Sequence, residues 1–348
     1  MSLWTKRHAI PIERRFYSEV KSIEFEGKIW VVCDKSTLQN IRNHHSRVFV
    51  FDPESDVFTE INRFNPESLV TYLHMLAADA DNLYMWRKNF ERSSFHLFKL
   101  NRSTLEWENL MTIRRDGYFN SIVIINQIMH ILAIVRHPTE EVYLIRIDLQ
   151  KREVVSTVKL EAVRPNVSWN GFLTCHNNTL FLMEKIREIR QVSEIMNDEL
   201  RVIAREEHHD GSFRYFDANV FVSYFQRKLV FKIHNFDFNT LTWKKEMNNP
   251  NLMYDHSQVW IWALLRSCVR INGSIYTIFY EPDGKAEYEL HVLDLQPKLT
   301  SICLDDLATR FSKKLDAQKL NVLNQKLPTH LRDQLKELME WKGAARVD

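Results

Sequence analysis

The feature that most constrains this sequence is a short pattern that recurs at nearly even intervals. Residues 100–110 read LNRSTLEWENL and residues 236–246 read FDFNTLTWKKE, and both hold Asp or Asn, two residues, and then Thr-Leu-x-Trp. Looser copies begin at residues 51, 147, 196 and 293. Their Asp or Asn residues lie at positions 52, 101, 148, 197, 237 and 294, an average spacing of about 48 residues. Such a period indicates an array of similar structural units.

Each copy has the signature of a β-hairpin. Alternating strand patterns precede the copies, as in RVFVF, FHLFKL, VYLIRI, LVFKI and YELHVL. The Asp or Asn side chain can accept hydrogen bonds from the turn backbone, and an aromatic residue then returns towards the core. A second turn lies upstream of each copy, at Glu26-Gly27, Asp81-Asn82, Asn126-Gln127, Asn177-Asn178, Ala218-Asn219 and Asn272-Gly273.

Two hairpins per unit predict a four-stranded antiparallel blade, and six units predict an all-β, six-bladed β-propeller. Seven blades are an alternative count, and a pair of β-sandwiches with coincidental spacing is an alternative fold. Over roughly residues 15 to 304 the chain resembles a divergent kelch-type propeller. The resemblance rests on the period and on the order of features within each unit: a strand, then an Asp, a Thr or Ser, a Trp or Phe, and a second strand. It departs from kelch by lacking paired glycines, since the chain has seven Gly in all.

Composition gives the class of protein. Hydrophobic residues make up 45% of the chain and aromatic residues 12%, enough for a large core. The net charge of +2 gives no reason to expect nucleic acid or a membrane as a partner. Four scattered Cys without a CxxC pair favour a reducing compartment. We therefore expect a soluble cytoplasmic protein, with the nucleus as an alternative location.

The most apolar run, SIVIINQIMHILAIV from residue 121, is broken by Asn126, Gln127 and His130. A membrane helix needs about 20 apolar residues, so the run predicts two strands joined by a tight turn. The N-terminus MSLWTKRHAIPIERRF has no apolar segment typical of a secretory signal. The stretch MEKIREIRQVSEI, from residue 183, leaves open an exposed helical insertion.

After residue 303 the strand patterns stop and apolar residues follow a helical spacing. The first predicted helix carries an apolar face of Leu304, Leu307, Ala308, Phe311 and Leu315. A later helix begins at Pro328, which fits a first helical turn, and its apolar face holds Leu331, Leu335 and Leu338. The domains are therefore predicted as 1–303, the propeller, and 304–348, a helical tail.

The order of these pieces resembles a SOCS box, the helical module of substrate receptors for cullin–RING ubiquitin ligases. Its BC box, which binds elongin C, is matched by Leu304, Leu307, Ala308 and Phe311. Its cullin box, which begins Leu-Pro, is matched by Leu327, Pro328, Leu331, Arg332 and Leu335. Cys303 stands where the family favours Ser, Thr or Pro, and Thr329-His330 selects neither a type-2 nor a type-5 cullin.

The resemblance implies a substrate-recognition subunit of an elongin BC–cullin RING E3 ubiquitin ligase. The propeller would bind a target protein, and the tail would bind elongin C, elongin B and a cullin of type 2 or type 5. One alternative is that the tail packs on the propeller as a cap, because amphipathic helices commonly bury their apolar face on their own domain. Another is a propeller scaffold or adaptor that has no link to a ligase.

A target is expected at the loops that join the second and third strands of each unit. Basic residues concentrate there, and Arg pairs well with carboxylates. We therefore expect an acidic or C-terminal-carboxylate peptide to bind there, with ordinary solvated basic loops as the alternative. The predicted target-binding residues are Arg42, Arg47, Arg87, Arg92, Arg187, Arg190 and Arg227.

Catalysis has no recognisable motif in this sequence. It contains no G-x-S-x-G, no H-E-x-x-H and no Gly-rich phosphate loop. Histidines at 44–45 and 208–209 are adjacent pairs, which point apart on a strand and so make poor metal ligands. The sequence thus predicts a non-catalytic adaptor with no cofactor and no metal.

Overall fold

The computed structural model describes only part of the chain, and every structural statement below concerns that part. Within it the protein is all-β, as predicted, and consists of antiparallel sheets. The described residues are 4–10, 19–34, 46–64, 72–89, 92–135, 141–160, 170–186, 189–207, 212–215, 220–225, 228–245, 254–255, 265–271, 274–280 and 288–294.

The described strands form six sheets, numbered here in chain order. Sheet 1 holds β2 (Glu19–Phe25), β3 (Lys28–Asp34), β4 (Ser46–Asp52) and β5 (Val57–Phe64). Sheet 2 holds β6 (Tyr72–Ala78), β7 (Leu83–Asn89), β8 (Ser94–Leu100) and β9 (Trp107–Arg114). Sheet 3 holds β10 (Tyr118–Ile125), β11 (Ile128–Val135), β12 (Glu141–Asp148) and β13 (Glu153–Lys159).

In the later sheets, too, strands that follow one another in the chain lie side by side, except that one short strand pairs out of order in sheet 5 and the N-terminal strand joins sheet 6. Sheet 4 holds β14 (Asn170–His176), β15 (Thr179–Ile186), β16 (Ile189–Met196) and β17 (Glu199–Glu207). Sheet 5 holds β18 (Ser212–Tyr215), β19 (Val220–Phe225), β20 (Lys228–Asp237) and β21 (Thr242–Lys245), with β22 (Tyr254–Asp255) pairing β20. Sheet 6 holds β23 (Leu265–Ile271), β24 (Ser274–Tyr280), β25 (Tyr288–Asp294) and, from the other end of the chain, β1 (Trp4–Ala9).

One sequence-based interpretation of local structure is confirmed and one is wrong. The apolar run from residue 121 is a hairpin of β10 and β11, as predicted. The helical insertion considered for residues 183–195 is wrong, because these residues belong to β15 and β16, apart from 187–188, which lie outside the described residues.

The recurring Asp or Asn caps a turn in four of its six positions, which confirms its predicted role. Asp52 Oδ1 accepts hydrogen bonds from the backbone nitrogens of Glu54 and Ser55, at 2.9 and 3.4 Å. The same two bonds recur at Asn101, Asp148 and Asp237. At Asn197 the chain instead makes a two-residue turn, in which Asn197 and Asp198 both have positive φ. We call this end of each sheet the turn end, and the opposite end, where the second strand leads to the third, the loop end.

Neighbouring sheets pack face to face, because alternate residues of a strand point to opposite sides. In β3, Val31 and Cys33 pack with sheet 6, whereas Trp30 and Val32 pack with sheet 2. Similar apolar clusters join sheets 2 and 3, sheets 3 and 4, and sheets 4 and 5. The last sheet therefore packs on the first, an arrangement consistent with a β-propeller.

The N-terminal strand was not anticipated from the sequence. β1 pairs antiparallel with β25, with Arg7 opposite His291, and so forms the outer strand of sheet 6. The sixth repeat copy had predicted that the chain after Asp294 would return along this sheet, but those residues lie outside the described part. The chain divides into two compact units, Met1–Leu293 and Asp294–Asp348.

Candidate functional site

Buried polar side chains gather near the loop end of the sheets. Between sheets 1 and 2, Arg87 donates from Nη2 to both carboxylate oxygens of Asp34, at 3.1 and 3.2 Å. Its Nη1 donates to Ser46 Oγ at 2.9 Å, and that hydroxyl donates to Asp34 at 2.6 Å. The side chains of Arg87 and Asp34 are 0% and 3% exposed. We call these three residues the Arg87 network.

The Arg87 network continues into a group of hydroxyl and imidazole side chains on β8 and β9. His96 lies 3.2 Å from Ser94 Oγ through Nε2, and 3.0 Å from Thr112 Oγ1 through Nδ1. Burial lowers the pKa of His96, and the neighbouring cations Arg92 and Arg87 lower it further. His96 is therefore a neutral ring at pH 7, held at both nitrogens.

Sheet 4 carries a second network at its loop end, in which Glu184 and Gln191 are buried and Arg205 is exposed. Gln191 Nε2 donates to Glu184 Oε1 at 2.9 Å, and Arg205 Nε donates to Gln191 Oε1 at 2.6 Å. On the other face of β16, Arg190 forms an ion pair with Glu206 and lies 4.6 Å from the centre of the Trp243 ring.

Burying charged and polar side chains costs free energy, so we asked what these networks contribute to the structure. A buried ion pair adds little net stability compared with an apolar core, but removing one partner is strongly destabilising. Complete hydrogen bonding makes such a group rigid and fixes one geometry. The strand ends that carry these side chains are thus held in one geometry, as a recognition site requires.

Two of the predicted target-binding arginines are placed where they cannot reach a target. Arg87 and Arg190 are 0% and 1% exposed, and each already has a carboxylate partner. The sequence had placed both in loops, but Arg87 belongs to β7 and Arg190 to β16. We correct their role from target contact to support of the loop end.

Of the other five predicted target-binding residues, two belong to the described part of the chain and three do not. Arg92 is exposed and lies two residues before the start of β8. Arg47 is partly buried, donates to Glu60 from Nε and Nη2 at 2.9 and 2.5 Å, and lies over Phe49. Arg42, Arg187 and Arg227 lie outside the described residues, as do Leu304, Leu307, Ala308, Phe311, Leu327, Pro328, Leu331 and Leu335, predicted to bind elongin C and a cullin.

One basic residue at the loop end was missed by the sequence reasoning. Arg115 follows β9 in the segment that leads from sheet 2 to sheet 3, and its guanidinium lies 4.4 Å from the centre of the Tyr143 ring. Tyr143 Oη donates to Glu141 at 2.6 Å, and Lys159 pairs with Glu141 at 2.8 Å. The signal was available in the sequence RRDG at 114–117, but only loops between second and third strands had been considered.

Neither a metal site nor a membrane span is found in the part of the chain that the structure describes. No group of three or more His, Cys, Asp or Glu side chains there is placed to hold a metal ion. The same residues include no helix with the length and apolar character needed to cross a bilayer.

Comparison with known proteins gives likenesses among solved structures but no match in sequence. No model of a known protein family matches the chain, and no curated protein matches it in sequence. Among solved structures, the chain is similar to an acylaminoacyl peptidase in complex with Z-Gly-Gly-Phe-chloromethyl ketone, with a TM-score of 0.46 and 12% sequence identity. The match covers 77% of this chain and 44% of the peptidase chain.

The peptidase contradicts the prediction that this chain is not an enzyme, and we withdraw that prediction. A likeness with a TM-score of 0.46 and 12% identity assigns no peptidase activity and no catalytic residue to this chain.

Proposed function

We propose that this chain is the substrate-recognition subunit of an elongin BC–cullin RING E3 ubiquitin ligase. A six-bladed kelch-like propeller captures a target protein at its loop end, and a C-terminal SOCS-box-like helical module binds elongin C and a cullin. The observation that carries the proposal is that a BC-box pattern and a cullin-box pattern occur in the right order within one unit, Asp294–Asp348.

The six described sheets support the propeller part of the proposal. Sheets 1 to 5 pack on one another in succession, sheet 6 packs on sheet 1, and β1 completes the sheet that contains β25. The two networks support the binding part, because they fix the end of the sheets where loops gather. Ubiquitin transfer would then be accelerated by holding the target close to the ligase subunits that carry out the chemistry.

The test is co-purification of the full chain with elongin C. Leu304→Asp combined with Ala308→Asp should abolish the association, because charged groups would have to enter an apolar interface. Leu241→Asp is the matched control, since Leu241 is 43% exposed in a turn of sheet 5, and this variant should bind elongin C like the wild type. The ligase proposal fails if the wild type does not bind elongin C, or if the double variant binds as well as the control.

A further inference from the structure

Stacking of arginine on an aromatic ring recurs in this protein, and one case differs from the others. Among the described residues, four Arg lie over such a ring: Arg47 over Phe49, Arg102 over Phe25, Arg190 over Trp243 and Arg115 over Tyr143. The first three also form an ion pair with a carboxylate, from Glu60, Glu26 and Glu206 respectively. Arg115 has no such partner among the described residues.

The guanidinium of Arg115 is held in place but is not satisfied. Its Nε is buried and makes no hydrogen bond, and its two terminal nitrogens, which are not buried, also lack a partner in the described part of the chain. Burial lowers the pKa of Arg115, yet an arginine remains a cation at neutral pH. Leaving the buried Nε–H unpaired is costly, and the accessible terminal nitrogens can bind an acceptor from outside the chain.

The surroundings of Arg115 keep it in position. The Tyr143 ring below it is anchored through its hydroxyl to Glu141, which Lys159 holds in turn. The backbone nitrogen of Arg115 donates to the carbonyl of Ser93 at 2.7 Å, which ties the segment to the β8 hairpin. A side chain that is already ordered loses little conformational entropy when it binds a ligand.

The local charge selects the class of ligand. Lys88, which lies close by, donates to the carbonyl of Gly117, and Lys159 pairs with Glu141. Arg115 lacks, among the described residues, the carboxylate partner that each of the three other stacked Arg has, so a carboxylate with its two oxygens suits this position.

We propose that Arg115, stacked on Tyr143, is the receptor for a carboxylate of the bound target peptide, either its C-terminus or an Asp or Glu side chain. This inference rests on the proposed function for the idea that a peptide binds at the loop end, and it names the residue that recognises it. The ligand carboxylate occupies the place that Glu60, Glu26 and Glu206 occupy in the three other stacks.

The test uses the purified full chain and an array of random decapeptides, each made with a free and with an amidated C-terminus and each with and without Asp or Glu. Arg115→Gln should weaken binding of carboxylate-containing peptides about tenfold or more. Arg115→Lys should recover only part, because an ammonium cannot form the two parallel hydrogen bonds. Arg102→Gln, at the turn end, is the matched control and should stay within about twofold of the wild type.

The peptide set distinguishes the two sources of the carboxylate. Loss of binding on amidation identifies a C-terminus, and retention by amidated peptides that contain Asp or Glu identifies a side chain. The inference is overturned if the wild type binds no peptide, if fully neutral peptides bind equally well, or if Arg115→Gln binds like Arg102→Gln. Circular dichroism and the midpoint of urea unfolding verify that each variant is folded.

Failure of this proposal is separable from failure of the ligase proposal. Elongin C binding depends on the second unit and should be unchanged in Arg115→Gln, whereas peptide binding should be unchanged in Leu304→Asp with Ala308→Asp.

Discussion

Replacing Arg87 by methionine should destabilise the protein strongly, and replacing Asp34 as well should largely repair it. In the single variant the Asp34 carboxylate, 3% exposed, loses both of its hydrogen bonds from Arg87. Asp34→Leu alone leaves the Arg87 guanidinium buried without its carboxylate. In the double variant neither charge remains.

The expected magnitudes follow from burial. Removing one partner of a buried ion pair costs about 3–5 kcal/mol, because an uncompensated charge stays in a low-dielectric interior. In the double variant the main remaining defect is Ser46, whose hydroxyl bonds to both partners, and one unpaired buried hydroxyl costs about 1–3 kcal/mol. Each single variant should therefore be less stable than the double variant.

Urea unfolding, followed by tryptophan fluorescence, measures these free energies. Trp30 and Trp86 are buried in sheets 1 and 2 and report on the region around the Arg87 network. The exposed pair of Arg102 and Glu26 serves as the control, and Glu26→Ala should cost less than about 1 kcal/mol. If the effects of the Arg87 and Asp34 substitutions simply add, or if each single variant costs under about 1 kcal/mol, the reasoning about buried charge is refuted.

Two further predictions concern turns. Gly117→Ala should lower the free energy of unfolding, measured in urea, by more than about 2 kcal/mol, because at φ +103° the added Cβ would lie 2.1 Å from the Ile134 carbonyl oxygen. Gly27→Ala, where the space around the Cβ is open, should lower it by about 1 kcal/mol. Equal losses in the two variants would contradict the steric argument. Asp52→Ala should be less stable than the wild type at pH 6. Backbone hydrogen bonds from Glu54, and then the contact with Lys28, lower the pKa of Asp52, so its stabilising effect is complete above its usual value of about 4 and is lost as the pH falls through the lowered value. A difference between the two proteins that does not shrink towards pH 2 would contradict this.

Local structure could be predicted from this sequence because it depends on neighbouring residues. The Asp or Asn turns and the hairpin of β10 and β11 are set by residues within a few positions of one another. The return of an aromatic residue into the core was also predictable, since Trp107 and Trp243 follow their turns at a fixed distance and pack against apolar clusters.

The site could not be predicted to the same degree, because it depends on residues distant in sequence. The sequence predicts a loop at Arg87, since nothing in the surrounding residues shows that Asp34, 53 positions earlier, lies opposite it. Arg115 was overlooked because its distinction is the lack of a carboxylate, which only the three-dimensional arrangement reveals. The pairing of β1 with β25 is equally distant in sequence.

That pairing has a consequence for synthesis on the ribosome. β1 is made about 280 residues before its hydrogen-bonding partner β25, an interval of roughly 15 to 60 s at 5–20 residues per second. During that interval β1 has no β25 to pair with, and sheet 6 cannot be completed. A fusion or deletion at the N-terminus should therefore impair the last step of folding while leaving sheets 2 to 4 free to form early.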